Sequence, residues 1–430
     1  MSKTRRFFDK AQCYCEGIFM SEPSNIEQIS EEMFANCHQM QHFITESPRD
    51  YRSLLNQAAQ DVSKRLPEQK LTGLIIDGSG WEKKGGKSVG VAPQYCGNAG
   101  KVSNSQVAVF GALSNGDFAS MVDVRLYLPA SWTSDTRRCE EAGIPEEERV
   151  FKKKWEIAID IIRHQQSQGV AFDYAGGEGY CGNSVELAEA IEEMGYVYMP
   201  DIHSSLTVYL EASAIEVPSP RGKRGRQPKR AKPAIKGIRV DKYMAELSDT
   251  DWHQIEVRNT TKGKLRGDCH LRTVYVFDEE NSRLLRRLLL IRRTKTKNGD
   301  YEYRYSFTSA NPEQYTEKGI AYMHAQRFFV EHCIRENKQI LGMDKYQTRK
   351  WLVRQHQIAL NFLLSTFILK EKPICFDHIP LLSARDVKCR IIFKLYRQMS
   401  ENDMIEQMFE RHCRRQADIN NAFDRQILIC

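Results

Sequence analysis

Three acidic side chains stand where an acid is chemically useful. Asp77 follows the apolar run in "LTGLIID", and Glu178 lies in the glycine-rich "DYAGGEGYCGN" just past another apolar segment. Glu331 lies in "HAQRFFVEHCIRENKQ", a stretch with helical spacing. Strand ends of an open α/β sheet are where ligand sites form, because the loops there leave room for a ligand. Carboxylate oxygens suit Mg²⁺, which is usually held by one or two carboxylates together with substrate phosphates. Two such ions about 3.5 to 4 Å apart activate an attacking oxygen and stabilise a leaving one in phosphodiester chemistry. Any one of these acids alone is weak evidence, since a lone Asp at a strand end is more often a turn cap.

The surroundings of Glu331 are more specific. Arg327 precedes it by four residues, His324 by seven, and Lys338 follows by seven, so all four fall on or near one helix face. Such a row is usually an ordinary solvated charge face. The alternative is one acid presented to metal while flanking cations hold a DNA backbone. The stretch "LIIDGSGWEKKGGKSVGV", by contrast, only looks like a phosphate loop. Trp81 stands where that loop needs a glycine, and no helical pattern follows Ser88.

The net charge is +7 over 430 residues, mild for the length, so its distribution matters more than its total. One segment, 218–236, concentrates it: Arg221, Lys223, Arg224, Arg226, Lys229, Arg230 and Lys232 run without an acid among prolines and glycines. This is either a solvated linker or an arm that tracks phosphates by releasing counterions. The twelve cysteines show no zinc spacing, which suits reduced thiols in the cytosol. No signal peptide is legible at the N-terminus. The most apolar stretch, "IALNFLLSTFIL", is too short and too polar to span a bilayer and reads as a buried helix.

The elements that must position these residues begin with a helical stretch, residues 1–68. The second helix, in "SPRDYRSLLNQAAQDVSKRL", opens with Ser47 as cap, Pro48 at the first position and Asp50 at the third. These helices form either a helix-turn-helix DNA reader or a packing domain. From about residue 70 the pattern changes to three strands, a helix, a strand, a helix and a strand, which is an α/β layered domain. Further strands follow between 270 and 310, then one long helix over roughly 313–341 and a helical end. The expected units are a helical 1–68, a core in two parts at 69–215 and 312–372, a basic arm with β-rich insertion at 216–311, and a helical tail at 373–430.

At this point the chain resembles the insertion-sequence transposases of the DDE type, in the group whose third acid lies in a Y-R-E-K signature. The matching stretches include "IIDGSGWEKKGGKSVGVAPQYCGNAGKVSNSQVAV", "RLYLPASWTSD", "GYVYMPDIHSSLTVYLE", "AQRFFVEHCIRENKQILGMDKYQTRKW" and "ERHCRRQADIN". The resemblance implies a ribonuclease-H-like α/β fold, a mixed sheet with a β-rich insertion between the second and third acids. It implies Asp77, Glu178 and Glu331 as the catalytic, metal-holding acids. Arg327 and Lys338 match the Arg and Lys that the family sets against DNA phosphates, and His324 stands where the signature has Tyr. Glu178 also departs from the pattern, which has Asp. The extra methylene moves the carboxylate, and octahedral Mg²⁺ tolerates little of that. Asp173 is a poor substitute, because its parity along the strand is opposite to that of position 178.

The reading that follows is a transposase that binds the ends of its element and cuts and joins DNA, with two Mg²⁺ ions and Mn²⁺ as substitute. Metal-activated water, then the freed 3′-hydroxyl, would attack phosphodiesters in line. The rival is a transposase-derived DNA-binding protein that no longer cuts, because of Glu178. The expected partners are double-stranded DNA, as element ends and target, and a second copy of the chain once assembled on it. The expected place is the cytoplasm, with the nucleoid, and no membrane.

Overall fold

The computed structural model describes residues 3–372 apart from 23, 48, 69, 98, 219–228, 261–262 and 346–347, then 382–396 and parts of 400–420. Four helices open the chain: α1 (Lys3–Met20), α2 (Ile26–Glu32), α3 (Cys37–Thr45) and α4 (Tyr51–Ser63). Helix α4 starts later than expected, and Asp50, not Ser47, is its cap. The Asp50 carboxylate accepts the free backbone N–H groups of Arg52 and Ser53 at 3.0 and 3.1 Å, satisfying two donors that the first turn leaves open. Pro48 lies outside the described residues.

The central sheet is mixed. Its strands are β1 (Gly73–Glu82), β2 (Ala92–Cys96), β3 (Lys101–Asn115), β4 (Phe118–Leu126), β5 (Tyr174–Gly177) and β6 (Val197–Pro200). Long β3 pairs antiparallel with β1 along one edge, and with both β2 and β4 along the other. On its second edge β1 pairs parallel with β5, and β5 parallel with β6. The crossovers that parallel pairing requires are helices α5 (Lys154–Ser167) and α6 (Val185–Glu193).

Alternation along β1 sorts its side chains between two buried faces. Leu74 and Ile76 pack with Ile157 and Ile161 of α5 and with Leu187 and Ile191 of α6. Ile75 packs on the other side, in the cluster with Phe110, Met323, Val330 and Phe362. Asp77 shares parity with Ile75, so it faces the side covered by the later helices.

Between the two parts of this layer runs a four-stranded antiparallel sheet: β7 (His253–Thr260), β8 (Gly263–Asp278), β9 (Arg283–Lys295) and β10 (Tyr301–Thr308). Strand β7 was not legible in the sequence. The insertion meets the central layer along β6, where Ile202 N–H donates to the Tyr305 carbonyl at 3.0 Å and Ser309 N–H to that of Tyr198 at 3.2 Å.

The expected single helix over 313–341 is two, α7 (Glu317–Ala325) and α8 (Arg327–Gln339), parted at Gln326. Ser114 of β3 donates to the Gln326 side-chain oxygen at 2.9 Å and lies 3.4 Å from its main-chain carbonyl. That tie pins the junction to the sheet. The apolar stretch at 358–369 falls in α9 (Trp351–Glu371), whose Ile358, Leu360, Phe362 and Leu364 are buried. Helix α9 packs on the N-terminal helices through Tyr14, Ile18, Phe43 and Ile44. Among the described residues no helix is long and apolar enough to cross a membrane. The last fully described helix is α10 (Ala384–Tyr396).

Candidate active site

Strand β1 does not end at Asp77. It stays paired with β3 as far as Glu82, whereas its parallel partner leaves after the pair Ile76–Gly177. The acid therefore sits where one neighbour departs and the other stays, which opens a gap beside Asp77 without freeing its backbone. Glu178 is the next residue on β5, and Asp201 the next on β6 after the pair Gly177–Pro200. Three carboxylates thus leave three adjacent parallel strands at one level.

Glu178 turns back toward β1, where its Oε1 accepts the Gly78 N–H at 2.8 Å. Position 78 must be glycine for this, since a Cβ there would lie 2.6 Å from that oxygen. Asp173 is at the other end of β5, just outside the strand, where its Oδ2 accepts the Thr72 N–H at 2.7 Å. It takes no part in the cluster.

From the helix side Arg327 gathers the acids. Its Nη2 is 2.8 Å from Glu331, its Nε is 3.9 Å from Asp77, and its Nη1 pairs with Asp201. Asp201 also accepts His324 Nε2–H at 2.9 Å. Asp201 was missed in the sequence, although "YMPDI" carries the same strand-then-acid signal as "LIID".

Electrostatics sets these acids apart. Burial, then the charges of Glu178 and Glu331, push the Asp77 carboxyl well above the usual carboxylate range, against the pull of Arg327. Burial likewise raises Glu178, with the Gly78 N–H opposing. Burial would raise Asp201 too, but the hydrogen bonds and charges of His324 and Arg327 hold it at about 2. The Asp77–Glu178–Glu331 group is short of positive charge, and a guanidinium supplies part of what is missing. Oxygen donors clustered in this way suit a hard divalent cation. Among the described residues, however, no three acidic, His or Cys side chains stand ready-made around an ion position.

The other expected residues fall in different places. His324 and Lys338, expected to face DNA phosphates, are 5% and 4% exposed in the DNA-free chain. Lys338 Nζ instead donates to Ser79 Oγ at 2.5 Å and to the Gly80 carbonyl at 3.0 Å on β1. Burial, then the Arg354 charge, lowers its pKa to about 8. Of the arm, Arg221, Lys223, Arg224 and Arg226 lie outside the described residues. Lys229, Arg230 and Lys232 are exposed, and Arg230 stands 3.8 Å from Glu279 in the β8–β9 turn, away from the acids.

Comparison with known proteins places the chain in a family. Residues 2–264 match the family described as "DDE superfamily endonuclease". The chain belongs to the DDE superfamily of endonucleases. This superfamily member is also similar to the probable transposase for insertion sequence element IS701 of Microchaete diplosiphon. The two are 30% identical over 173 residues, 40% of this chain and 42% of that protein's length. Among solved structures it is similar to the piggyBac transposase synaptic complex with hairpin DNA, at 9% identity and a TM-score of 0.40. That likeness covers 96% of this chain and 76% of the other.

Proposed function

We propose that the chain is a transposase that binds the ends of its own DNA element and cuts and joins phosphodiesters there. One observation carries this reading. Asp77 and Glu178 stand at one level on neighbouring parallel strands, and Arg327 ties Asp77 to Glu331 on the facing helix. The proposed core is ribonuclease-H-like, built from 69–215 and 312–372, with 216–311 inserted between them.

Asp77, Glu178 and Glu331 would hold two Mg²⁺ ions, with Mn²⁺ as substitute. When bound, such ions supply Lewis-acid stabilisation of the attacking and leaving oxygens. The chain's own residues do the rest. Arg327 orients Glu331 and Asp77, while Asp201, itself bonded by His324, holds Arg327. Lys338 fastens α8 to β1, so it acts here as a positioning group. Lys229, Arg230 and Lys232, with the rest of the arm, supply sequence-independent affinity for double-stranded DNA. A second copy joins once DNA is bound, and the protein works on the nucleoid.

The test is incubation of the purified protein with a plasmid carrying the genomic flanks of its own coding sequence, with Mg²⁺ or Mn²⁺. The expected result is breaks at the element ends that leave 3′-hydroxyls, absent for Asp77→Asn. One observation favours a second reading, a DNA-binding protein that no longer cuts: Glu178 spends one carboxylate oxygen on the Gly78 N–H. End binding without cleavage in either metal would select that reading.

A further inference from the structure

A cavity of about 300 Å³ lies between the insertion sheet and α8, walled on one side by Arg327 and Glu331 and on the other by the sheet. The sheet wall is unusual. Arg292 on β9 stands directly opposite Arg304 on β10, and both line the cavity with Arg258 of β7. Like charges directly across a strand pair destabilise a sheet. Arg304 has Glu302 at 2.7 Å, but neither Arg292 nor Arg258 has an ion-pair partner among the described residues. Arg292 Nε and Nη1 are buried without a hydrogen-bond acceptor, a costly condition for a charged group. Arg258 instead lays its guanidinium over the Phe328 ring, 3.4 Å from the centroid.

We propose that this cavity binds a phosphate group of nucleic acid, held by Arg258, Arg292 and Arg304. Planar guanidinium forks match phosphate oxygens in pairs, and a phosphate between Arg292 and Arg304 turns their repulsion into shared attraction. The buried N–H groups of Arg292 acquire the acceptors they lack. Because the cavity shares Arg327 and Glu331 with the acid cluster, the phosphate would lie beside the scissile position. The site deepens the proposed function and rests on it. Its ligand is either the 5′-phosphate of a cut strand or a phosphodiester of the passing backbone.

Binding without metal tests the idea independently of cleavage. The full-length protein in EDTA is titrated with short fluorescent oligothymidylates bearing a 5′-phosphate or a 5′-hydroxyl. Arg292→Gln is expected to weaken binding about tenfold, well beyond the effect of Lys229→Gln on the exposed arm. A preference for the 5′-phosphate that vanishes in Arg292→Gln identifies the strand end as ligand, and equal losses for both probes identify the backbone. Arg258→Gln, on the edge strand β7, reads the same cavity should Arg292→Gln not fold. Affinities for both probes no more affected by Arg292→Gln, or failing that by Arg258→Gln, than by Lys229→Gln would overturn the proposal. Loss of this binding with DNA cleavage never detected would instead leave the site standing and count against the nuclease reading alone.

Discussion

Asp77 is a side chain held at a cost. It is 5% exposed, and its nearest charged neighbours are two more acids and one arginine. Its pKa is raised in the fold, so the folded protein binds a proton more tightly there than the unfolded chain. Stability from this group is complete below the ordinary carboxylate range and declines as pH rises toward the folded value. Asp77→Asn removes that loss, so the metal-free variant should melt higher than the unaltered protein at pH 8, with little difference near pH 4. Mg²⁺ should raise the melting temperature of the unaltered protein and not of Asp77→Asn; calorimetric scans read both. Glu178 carries the second residue-scale prediction. Its extra methylene lets it reach the Gly78 N–H, and shortening it frees the carboxylate for the pair with Asp77. Glu178→Asp should raise single-turnover cleavage in Mg²⁺ about tenfold, which is only ~1.4 kcal/mol of barrier, and less in Mn²⁺. A Glu178→Asp protein slower than the unaltered one in Mg²⁺ would show that the glutamate is already well placed.

Parallel pairing is what converts sequence-distant acids into neighbours. Asp77, Glu178 and Asp201 share a level because β1, β5 and β6 share a register. The strand-end signal made Asp77 and Glu178 legible in the sequence, and the alternating order of strands and helices made the layer legible. The continuation of β1 past Asp77 was not, because residues 78–82 include two glycines and their pairing is set by β3, from Gly78–Val109 to Glu82–Ser105. Strand β7 was missed for a similar reason: "HQIEVRNT" is polar, and only its buried Ile255 and Val257 mark it. The break at Gln326 was illegible too, since the residue is tied to Ser114 on β3, 212 positions earlier. Asp201 belongs to this scale, as the clamp between β6 and the α7–α8 junction. Asp201→Asn leaves the Arg327 guanidinium without its closest partner, and breaking such a buried pair should cost about 3 kcal/mol in urea unfolding. The sign with pH is opposite to that of Asp77. Held at about 2, Asp201 contributes stability above the unfolded carboxylate range and loses it as pH falls toward 2. An unchanged unfolding midpoint in Asp201→Asn would remove the clamp from the account.

At the scale of the whole molecule, cations differ in setting. Arg327 and Lys338, beside the acids, are engaged with protein, whereas Lys229, Arg230 and Lys232 stand exposed on the arm. Affinity from exposed cations is a counterion effect, so replacing these three by Gln should flatten the plot of log K against log salt. The slope should change by about 0.9 for each phosphate no longer neutralised. A slope identical to that of the unaltered protein would make the arm a linker. Helix α8 is fixed to β1 at two points: Arg327 by Asp77 near its first turn, and Lys338 by Ser79 and Gly80 near its last. A rod riveted at both ends neither slides nor swings against the strand it lies on. Admission of an ion to the acids is then a matter of one guanidinium exchanging its partners rather than of helices parting over microseconds or longer. Ion uptake by this protein should therefore outpace any step that parts its helices.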